Sequence, residues 1–340
     1  MNTKFKGEVP IFFAVDDNYI PFLGVALKSL IENSSKEYKY LVKVLYTTVT
    51  KTNMEKIKKY ESDGVSIEFV DVNPKIKEIS HQLYTRDYFS NTTYYRLLIP
   101  DLYPEYDRAI YLDSDIIVLK DITKLFKMNI GDNLLAAAPD DVIQTIEVFR
   151  NYSEKVVGVA DYRNYFNAGI LLLNLKELRN FSFKDKFLYL LGTIKFSVAQ
   201  DQDYMNRLCK GRVTLLQKTW NKMPVSGDNI DKSRINIIHY NLAFKPWHFD
   251  DVLYQEYFWK YAKKTEFYKE ILNIKANFSE EDKQKYREGD KKLRALAQME
   301  CDCVGDDRIK NNDTNLNINV NNNEEYLDNQ SGLFEGLFAW

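Results

Sequence analysis

Short apolar runs alternate with segments of helical periodicity along the first part of this chain. Runs at residues 9–15, 41–46 and 65–72 each have the length and composition of a buried strand. The segment after the first run repeats apolar residues at helical spacing, and Pro21 precedes that repeat. Because the connections are short, this alternation predicts an α/β fold with a parallel, doubly wound sheet.

A pair of carboxylates interrupts another apolar run. Residues 109–112 are apolar, Asp113, Ser114 and Asp115 follow, and residues 116–119 are apolar again. Side chains two positions apart on an extended chain point the same way, so both carboxylates can face one spot. Two like charges at the edge of an apolar core are costly without a cation, and oxygen ligands suit Mg²⁺ or Mn²⁺. The alternative is a strand-end turn with two solvated aspartates.

A polar cluster also follows the first predicted strand, at Asp16, Asp17, Asn18 and Tyr19. In open α/β sheets, ligands bind just beyond the carboxyl ends of the strands. Neither a Gly-x-Gly-x-x-Gly motif nor a Walker loop is present here, which argues against a dinucleotide site or a P-loop. The alternative is that the Asp and Asn side chains only cap the following helix.

Several further polar residues stand out from their surroundings. Arg96 lies among apolar neighbours, where it would pair with a carboxylate or make a bidentate contact to an anionic ligand. Asp201 and Asp203 fall in the first turn of a predicted helix, where the helix dipole stabilises acids, whereas Gln202 gains nothing from that position. His239 ends a predicted strand and is either a metal ligand or a structural histidine.

The second half of the chain gives three expectations about its architecture. Residues 141–164 are mixed and rich in tyrosine, which favours a loop or lid. Residues 165–175 form the most apolar strand, in which Gly169 permits close approach of a ligand or of another strand. From about residue 250 the pattern changes to one amphipathic helix over 254–271, followed by a charged segment at 280–294.

We therefore divide the chain into a main α/β domain and three smaller segments. The predicted boundaries are residues 1–250 for the domain, 251–303 for a helical C-terminal extension, 304–331 for a linker and 332–340 for an apolar tip. The linker is rich in asparagine and cannot bury a core, so we expect it to be disordered. The tip has four large apolar side chains on one helical face, which suits docking on a membrane interface or on a partner.

Charge and cysteine content exclude some classes of function. The formal net charge of −2 provides no basic field for nucleic acid. The first nine residues have no apolar core of a signal peptide, and no run is long enough to cross a membrane. Three sparse cysteines suit a reducing compartment. We expect a cytoplasmic protein that can also lie at the inner face of the plasma membrane through its apolar tip.

Five short motifs occur in order along residues 9–250. They are Ala-Val-Asp-Asp-Asn-Tyr at 14–19, Tyr-Leu-Asp-Ser-Asp at 111–115, Tyr-Phe-Asn-Ala-Gly-Ile-Leu-Leu-Leu-Asn at 165–174, Gln-Asp-Gln-Asp at 200–203, and His-Tyr with Lys-Pro-Trp-His at 239–248. In this order and spacing they resemble the family 8 glycosyltransferases, which are retaining enzymes of the GT-A fold. The resemblance covers roughly residues 9–250 and implies a GT-A-type, Rossmann-like and mostly parallel sheet flanked by helices.

The resemblance implies an enzyme that moves a hexose from UDP-glucose or UDP-galactose to a glycan, glycolipid or glycoprotein acceptor in cell-surface glycan synthesis. Asp113, Asp115 and His239 would hold Mn²⁺, with Mg²⁺ as the alternative, against the diphosphate. The residues implied in donor binding are Ala14, Asp16, Asn18, Tyr19, Arg96, Ser114, Asn167 and Lys245. Those implied near the reacting sugar are Gln202, Asp201 and Asp140.

The mechanism and two rival functions stay open at this point. Gln202 is an amide and a poor nucleophile, which favours front-face attack by the acceptor over a double displacement. The segment between His239 and Lys245 lacks the glycine usual in bacterial members, which makes the placement of Lys245 less secure. The rivals are a catalytically silent protein that binds sugar nucleotides or acts as a scaffold, and a nucleotidyltransferase.

Overall fold

The computed structural model describes residues 5–79, 91–227, 230–241 and 244–303. Its strands are β1 (Glu8–Ala14), β2 (Lys39–Tyr46), β3 (Val65–Asp71), β4 (Arg108–Leu112), β5 (Ile116–Val118), β6 (Leu135–Pro139), β7 (Phe166–Asn174), β8 (Val213–Leu215) and β9 (Ile237–His239). Seven of them form one sheet in the order β3-β2-β1-β4-β7-β6-β8.

Within that sheet, β7 is the one strand that runs against its neighbours. It pairs antiparallel with β4 on one side and with β6 on the other, whereas the remaining pairs are parallel. The predicted mostly parallel sheet is therefore confirmed. The reversal of β7 matters for the site, because it places Gly169 next to the residue that follows β4, with the Asp113 amide donating to the Gly169 carbonyl at 2.7 Å.

The two remaining strands, β5 and β9, form a small antiparallel sheet of their own. Ile116, directly after the second carboxylate of the Asp-Ser-Asp motif, lies opposite His239. The backbone amide of Tyr240 also donates to the carbonyl of Asp115 at 2.9 Å. This pairing joins two segments that are distant in sequence and fixes His239 beside the carboxylates.

Thirteen α-helices lie within the described residues. They are α1 (Ile20–Asn33), α2 (Lys51–Lys58), α3 (Asn73–Ile79), α4 (Ile99–Leu102), α5 (Thr123–Phe126), α6 (Asp141–Thr145), α7 (Glu147–Tyr152), α8 (Leu175–Asn180), α9 (Phe183–Thr193), α10 (Gln200–Leu208), α11 (Gln255–Ala262), α12 (Tyr268–Asn277) and α13 (Glu280–Cys303).

The large sheet is buried on both faces. Ile11 and Phe13 of β1 contribute to one hydrophobic core, and their neighbour Phe12 contributes to the other. Because successive side chains of a strand point to opposite faces, this alternation places one core on each side of the sheet. Such double burial explains why the strands read as nearly continuous apolar runs.

Residues 141–164 are mostly helical, so the predicted irregular loop is wrong. Helices α6 and α7 are followed by a π-helical turn at Ser153–Val157 and a 3-10 turn at Tyr162–Asn164. Tyr152 is fully buried in the core, and its hydroxyl donates to Asp203. The tyrosines that suggested a mobile segment are thus partly framework residues.

The single helix predicted over 254–271 is also wrong, because α11 and α12 are separate. Between them, Phe267 is fully buried against α1. A Cβ on Gly24 of α1 would lie 2.5 Å from the Phe267 ring, so glycine provides the space for that side chain. Phe267 thus lies in the break between α11 and α12 and packs against Gly24 of α1.

Helices α11 and α12 contribute Phe258 and Ile271 to the same core as β1, and α13 packs Ala297 against the other core. The division at residue 250 stays a prediction. The asparagine-rich linker, the apolar tip, and Leu242 and Ala243 lie outside the described residues. None of the helices in the described part of the chain is long and apolar enough to cross a membrane.

Candidate active site

A pocket opens beyond the carboxyl ends of β1 and β4, where ligands bind in open α/β sheets. Seven residues predicted from the sequence line it, namely Ala14, Asp16, Tyr19, Arg96, Asp113, Ser114 and Asp115. The other lining residues are Val15, Thr92, Thr93 and Tyr111. Asn18, which was predicted to bind the nucleotide, is exposed and is not among them.

Asp16 and Asp17 show that the capping alternative was partly right. The Tyr19 amide donates to Asp16 at 3.1 Å, which caps the 3-10 turn after β1, while Asp16 also lines the pocket. Asp17 accepts from the Thr50 amide and from the Asn53 side chain, at the start of α2. One carboxylate therefore remains next to the pocket, and the other ties two elements of the framework together.

Asp113 and Asp115, which line the pocket, form a cluster with the buried His239. One ligand atom from each lies within 4.8 Å of the others. The Nε2 atom of His239 is 3.2 Å from Asp115 Oδ1 and 3.6 Å from Asp113 Oδ2. Asp115 Oδ1 is buried and has no hydrogen-bond donor among the described residues. Carboxylate and imidazole atoms that face one another in this way fit a divalent cation.

Glycine at position 169 is what leaves space for this cluster. A Cβ there would lie 2.3 Å from His239 Cε1 and 2.6 Å from Asp113 Oδ2. Real Cβ atoms do not come so close to other atoms, so a side chain at this position would displace two of the three proposed ligands. The close approach that the sequence indicated at Gly169 is thus made by the side chains of the cluster.

Lys245 closes one side of the cluster. Its ammonium group donates to Asp115 Oδ2 and to the carbonyl of Tyr240, and the side chain is buried. Burial alone would raise the pKa of Asp115, but Lys245 and His239 beside it hold that pKa well below its usual range. Asp115 is therefore charged in the folded protein, and it forms an ion pair with Lys245, the cation that the resemblance implies in donor binding.

Arg96 joins the metal cluster to helix α10. Its Nη2 is 3.3 Å from Asp113 Oδ1, its Nε is 3.1 Å from Asp201 Oδ2, and its guanidinium lies 4.3 Å from the centre of the Tyr111 ring. Tyr111 in turn donates to Asp113 at 2.8 Å. The sequence left open whether Arg96 pairs with a carboxylate or contacts an anionic ligand. In the structure it pairs with two carboxylates, those of Asp113 and Asp201.

The two acids of α10 are both buried and face different partners. Burial raises the pKa of Asp201 to about 6, although the charge of Arg96 opposes the rise. Burial likewise raises the pKa of Asp203 to about 6, against hydrogen bonds from Tyr165, the Ala199 amide and Tyr152. Asp203 thus does more than compensate the helix dipole, because it holds two buried tyrosines.

Gln202, Asp140 and Asn167 form one hydrogen-bonded network beside the metal cluster. The Gln202 carbonyl accepts from the Ala168 amide at 3.0 Å, and its amide nitrogen donates to Asp140 Oδ2 at 3.1 Å. Asn167 donates to the same oxygen at 3.0 Å. The other oxygen of Asp140 accepts from two backbone amides at the start of α6.

Two residues of the site escaped the sequence analysis. Tyr111 lies two positions before Asp113, so strand periodicity alone could have indicated that both share a face. Asn221 contacts His239 Nδ1 at 3.0 Å and Asn167 at 2.9 Å, yet it lies in an irregular segment after Trp220 and carries no pattern. Only the fold could identify it.

Comparison with known proteins identifies the family of this chain. The family model described as Glycosyl transferase family 8 matches residues 10–251. A putative glycosyltransferase of Haemophilus influenzae is 30% identical over 70% of this chain and 72% of its own length. The lipopolysaccharide 1,2-glucosyltransferase of Escherichia coli K12 is 26% identical over 70% of this chain and 72% of its own length.

The fold is likewise similar to a solved structure. A galactosyltransferase, LgtC, solved in complex with donor and acceptor sugar analogues, superimposes with a TM-score of 0.63 at 30% identity. The match covers 76% of this chain and 96% of that one. The sheet order, the site at the strand ends and these matches lead to one conclusion: this chain belongs to glycosyl transferase family 8.

Proposed function

We propose that this glycosyltransferase moves glucose or galactose from a UDP-sugar to a hydroxyl of a glycan, glycolipid or glycoprotein, with Mn²⁺ and with retention of configuration. The observation that carries the proposal is the cluster of Asp113, Asp115 and His239, of which the two carboxylates line a pocket at the strand ends. The named activities of the relatives, glucosyl and galactosyl transfer, support a hexose donor.

The residues on the two sides of the pocket suit the two ends of such a donor. Ala14, Asp16 and Tyr19 follow β1 and would hold the uridine. The metal would neutralise the diphosphate and stabilise its developing charge. Lys245 lies beside Asp115, close enough to add a second positive charge at the same place.

The sugar would lie toward Arg96, Asn167, Asp201 and Gln202. Asp140 fixes the Gln202 amide group from one side, and the Ala168 amide fixes it from the other. The Gln202 carbonyl oxygen is therefore already a hydrogen-bond acceptor and faces β7. This arrangement suits a residue that stabilises positive charge on the sugar through its position, rather than one that forms a covalent bond.

We therefore favour front-face transfer. The bond between the anomeric carbon and the diphosphate oxygen breaks, and its electrons leave with UDP. The acceptor oxygen forms the new bond on the same face, and its proton passes to the leaving phosphate oxygen. A glycosyl adduct trapped on Gln202 or Asp201 and detected by mass spectrometry would overturn this mechanism in favour of a double displacement.

The donor assignment is tested by thermal shift with a panel of UDP-sugars in the presence and absence of Mn²⁺. A bound ligand raises the melting temperature, so we expect UDP-glucose or UDP-galactose with Mn²⁺ to give the largest rise. If no UDP-sugar raises the melting temperature, the donor assignment is wrong. A rise with UTP that exceeds the rise with every UDP-sugar would favour the nucleotidyltransferase.

A second experiment separates an enzyme from a silent binding protein. We expect slow hydrolysis of the preferred UDP-sugar that depends on Mn²⁺ and falls by about 10²–10³-fold in Asp113→Asn, as is usual when one group that stabilises developing charge is removed. Binding of the UDP-sugar without any Mn²⁺-dependent turnover would favour the silent protein.

The proposal extends to the acceptor of the sugar and to the location of the enzyme in the cell. A glycan on a lipid or on a protein exposes the hydroxyl that the transfer requires, and the relative from Escherichia coli acts on lipopolysaccharide. We place the enzyme in the cytoplasm, where UDP-sugars are made, with the apolar tip at residues 332–340 as its means of lying at the inner face of the plasma membrane.

A further inference from the structure

A chain of buried side-chain amides connects Asp140 to His239. It runs from Asp140 through Asn167 and Asn221 to the Nδ1 atom of the histidine, with contacts of 3.0, 2.9 and 3.0 Å. Each member is at most 5% exposed, so water does not compete for these hydrogen bonds. The proposed metal site and the network around Gln202 therefore share one continuous set of hydrogen bonds.

The orientation of the first amide is fixed by the backbone. The amide N–H of Gly169 donates to Asn167 Oδ1 at 2.9 Å. A backbone N–H is a donor only, so the atom that faces it must be oxygen. The Asn167 nitrogen then points to Asp140, whose carboxylate is an acceptor. Both neighbours of Asn167 thus demand the same orientation.

The orientation of the second amide follows from the first. Asn221 places one terminal atom 2.9 Å from Asn167 Oδ1. Because Asn167 Oδ1 is an acceptor, that atom must be the nitrogen of Asn221. The carbonyl oxygen of Asn221 then faces His239 Nδ1 at 3.0 Å. An acceptor at this position requires a proton on Nδ1.

We propose that Asn221 is a positioning residue that accepts from His239 Nδ1–H and so leaves the Nε2 lone pair free for a cation that Asp113 and Asp115 would share. The proposal rests on the metal-dependent function proposed above for the same cluster. Ligand histidines commonly donate their second ring nitrogen to an acceptor, which orients the ring and raises metal affinity. Here the acceptor is the side-chain amide of Asn221. Its orientation is set by Asn167, whose own orientation is set by the backbone N–H of Gly169.

The backbone also keeps Asn221 in place. Lys222, its neighbour, donates to the carbonyl of Ile237 and accepts from the amide of His239, both at 2.9 Å. The segment after Trp220 is thereby attached to β9 itself. These two hydrogen bonds hold the segment that carries Asn221 against the strand that carries His239.

The tautomer can be read by NMR on the full, metal-free chain with ¹⁵N-labelled histidine, because the sequence has only His81, His239 and His248. The His239 signals are assigned by their loss in His239→Gln. The pH is raised until they report a neutral ring. We expect the proton on Nδ1 in the wild type, and a shift toward Nε2–H or a mixture in Asn221→Leu, which has no acceptor.

Two variants serve as controls. Asn221→Asp keeps an acceptor opposite Nδ1, so we expect it to retain the Nδ1–H tautomer. Asn236→Leu alters a neighbouring amide that donates to Thr219 and does not contact His239, so we expect wild-type His239 signals. A wild-type ring protonated on Nε2, or identical His239 signals in wild type and Asn221→Leu, would overturn the proposal.

Metal affinity gives the second readout. We expect Asn221→Leu to bind Mn²⁺ about 10–100-fold more weakly, measured by electron paramagnetic resonance of free Mn²⁺, while Asn236→Leu binds as the wild type does. Equal affinity in the two variants would contradict the proposed role. Failure of the wild type to bind Mn²⁺ would overturn the metal-dependent function instead, because the tautomer is measured without metal.

Discussion

The proposed active site has a metal side, formed by Asp113, Asp115 and His239, and a sugar side, formed by Asp140 and Gln202. The two sides differ in how completely their polar atoms are paired. On the metal side, Asp115 Oδ1 is buried without a donor, and it faces His239 Nε2. On the sugar side, Asp140 accepts four hydrogen bonds, and Gln202 is held at both ends. Asp115 Oδ1 therefore keeps a lone pair free for the proposed cation, whereas Asp140 and Gln202 are paired with each other and with neighbouring residues.

The largest effect that we expect concerns Lys245 on the metal side. In the Asp115→Asn variant, the buried ammonium group of Lys245 has no carboxylate partner. Removal of one partner from a buried ion pair costs about 3–5 kcal/mol of unfolding free energy. Urea denaturation of the metal-free protein measures it.

Two further variants test that interpretation. Asp113→Asn should cost less, because its side chain is 28% exposed and Arg96 retains Asp201. Asp115→Asn combined with Lys245→Met should recover part of the stability, since the lone charge is gone. Equal losses in all three variants would show that the ion pair is not the cause.

Gly169→Ala tests whether the space that Gly169 leaves beside His239 and Asp113 is essential. The added methyl group would overlap His239 and Asp113, so we expect turnover to fall by about 10²-fold, the effect of displacing catalytic groups by about 1 Å. Mn²⁺ binding should weaken in parallel. Gly192→Ala is the matched control, because a Cβ there meets nothing within 4 Å. Activity of Gly169→Ala within twofold of the wild type would contradict the proposed site.

Gln202→Ala tests whether the two halves act separately. We expect kcat to fall by about 10-fold or more, because the sugar loses one oriented amide group, while Mn²⁺ affinity stays within twofold of the wild type. Steady-state kinetics and Mn²⁺ titration provide the two measurements. A variant that loses Mn²⁺ affinity to the same extent as activity would show that the network on the sugar side supports the metal ligands directly.

The smallest effect concerns Asp203, beneath the sugar side. Its pKa of about 6 lies above the value of 3.8 for an unperturbed carboxyl, so the folded state binds the proton more tightly. This contribution to stability is complete below about pH 4 and is lost as the pH rises through about 6, at a rate on the order of 1 kcal/mol per pH unit. Asp201 shifts in the same direction.

Asp203→Asn should therefore flatten the decline in unfolding free energy between pH 4 and pH 6, measured by urea denaturation at several pH values. Asp161→Asn is the control, because hydrogen bonds from Arg163 lower the pKa of this carboxyl instead of raising it. A slope identical to that of the wild type in Asp203→Asn would show that the carboxyl titrates as it does in the unfolded chain.

The sequence by itself determined most of the sheet and part of the site. The apolar runs gave β1 to β4, because a strand buried on both faces must be apolar throughout. The spacing of Asp113 and Asp115 placed two carboxylates on one side of the chain beyond a strand end, since alternate residues of an extended segment share a face. The start of helix α10 was predicted from two acids in its first turn, where the helix dipole stabilises them. Gln202 was singled out because the dipole offers an uncharged amide no such stabilisation.

Only the tertiary structure decided how distant segments meet. The reversed direction of β7 brings Gly169 to Asp113, and the pairing of β5 with β9 brings His239 to Asp115. Neither pairing leaves a periodic trace, because register between distant strands depends on the whole fold. Asn221 has no local pattern at all. Its proposed role rests on hydrogen bonds to two residues that are far from it in sequence, and these contacts exist only once the chain has folded.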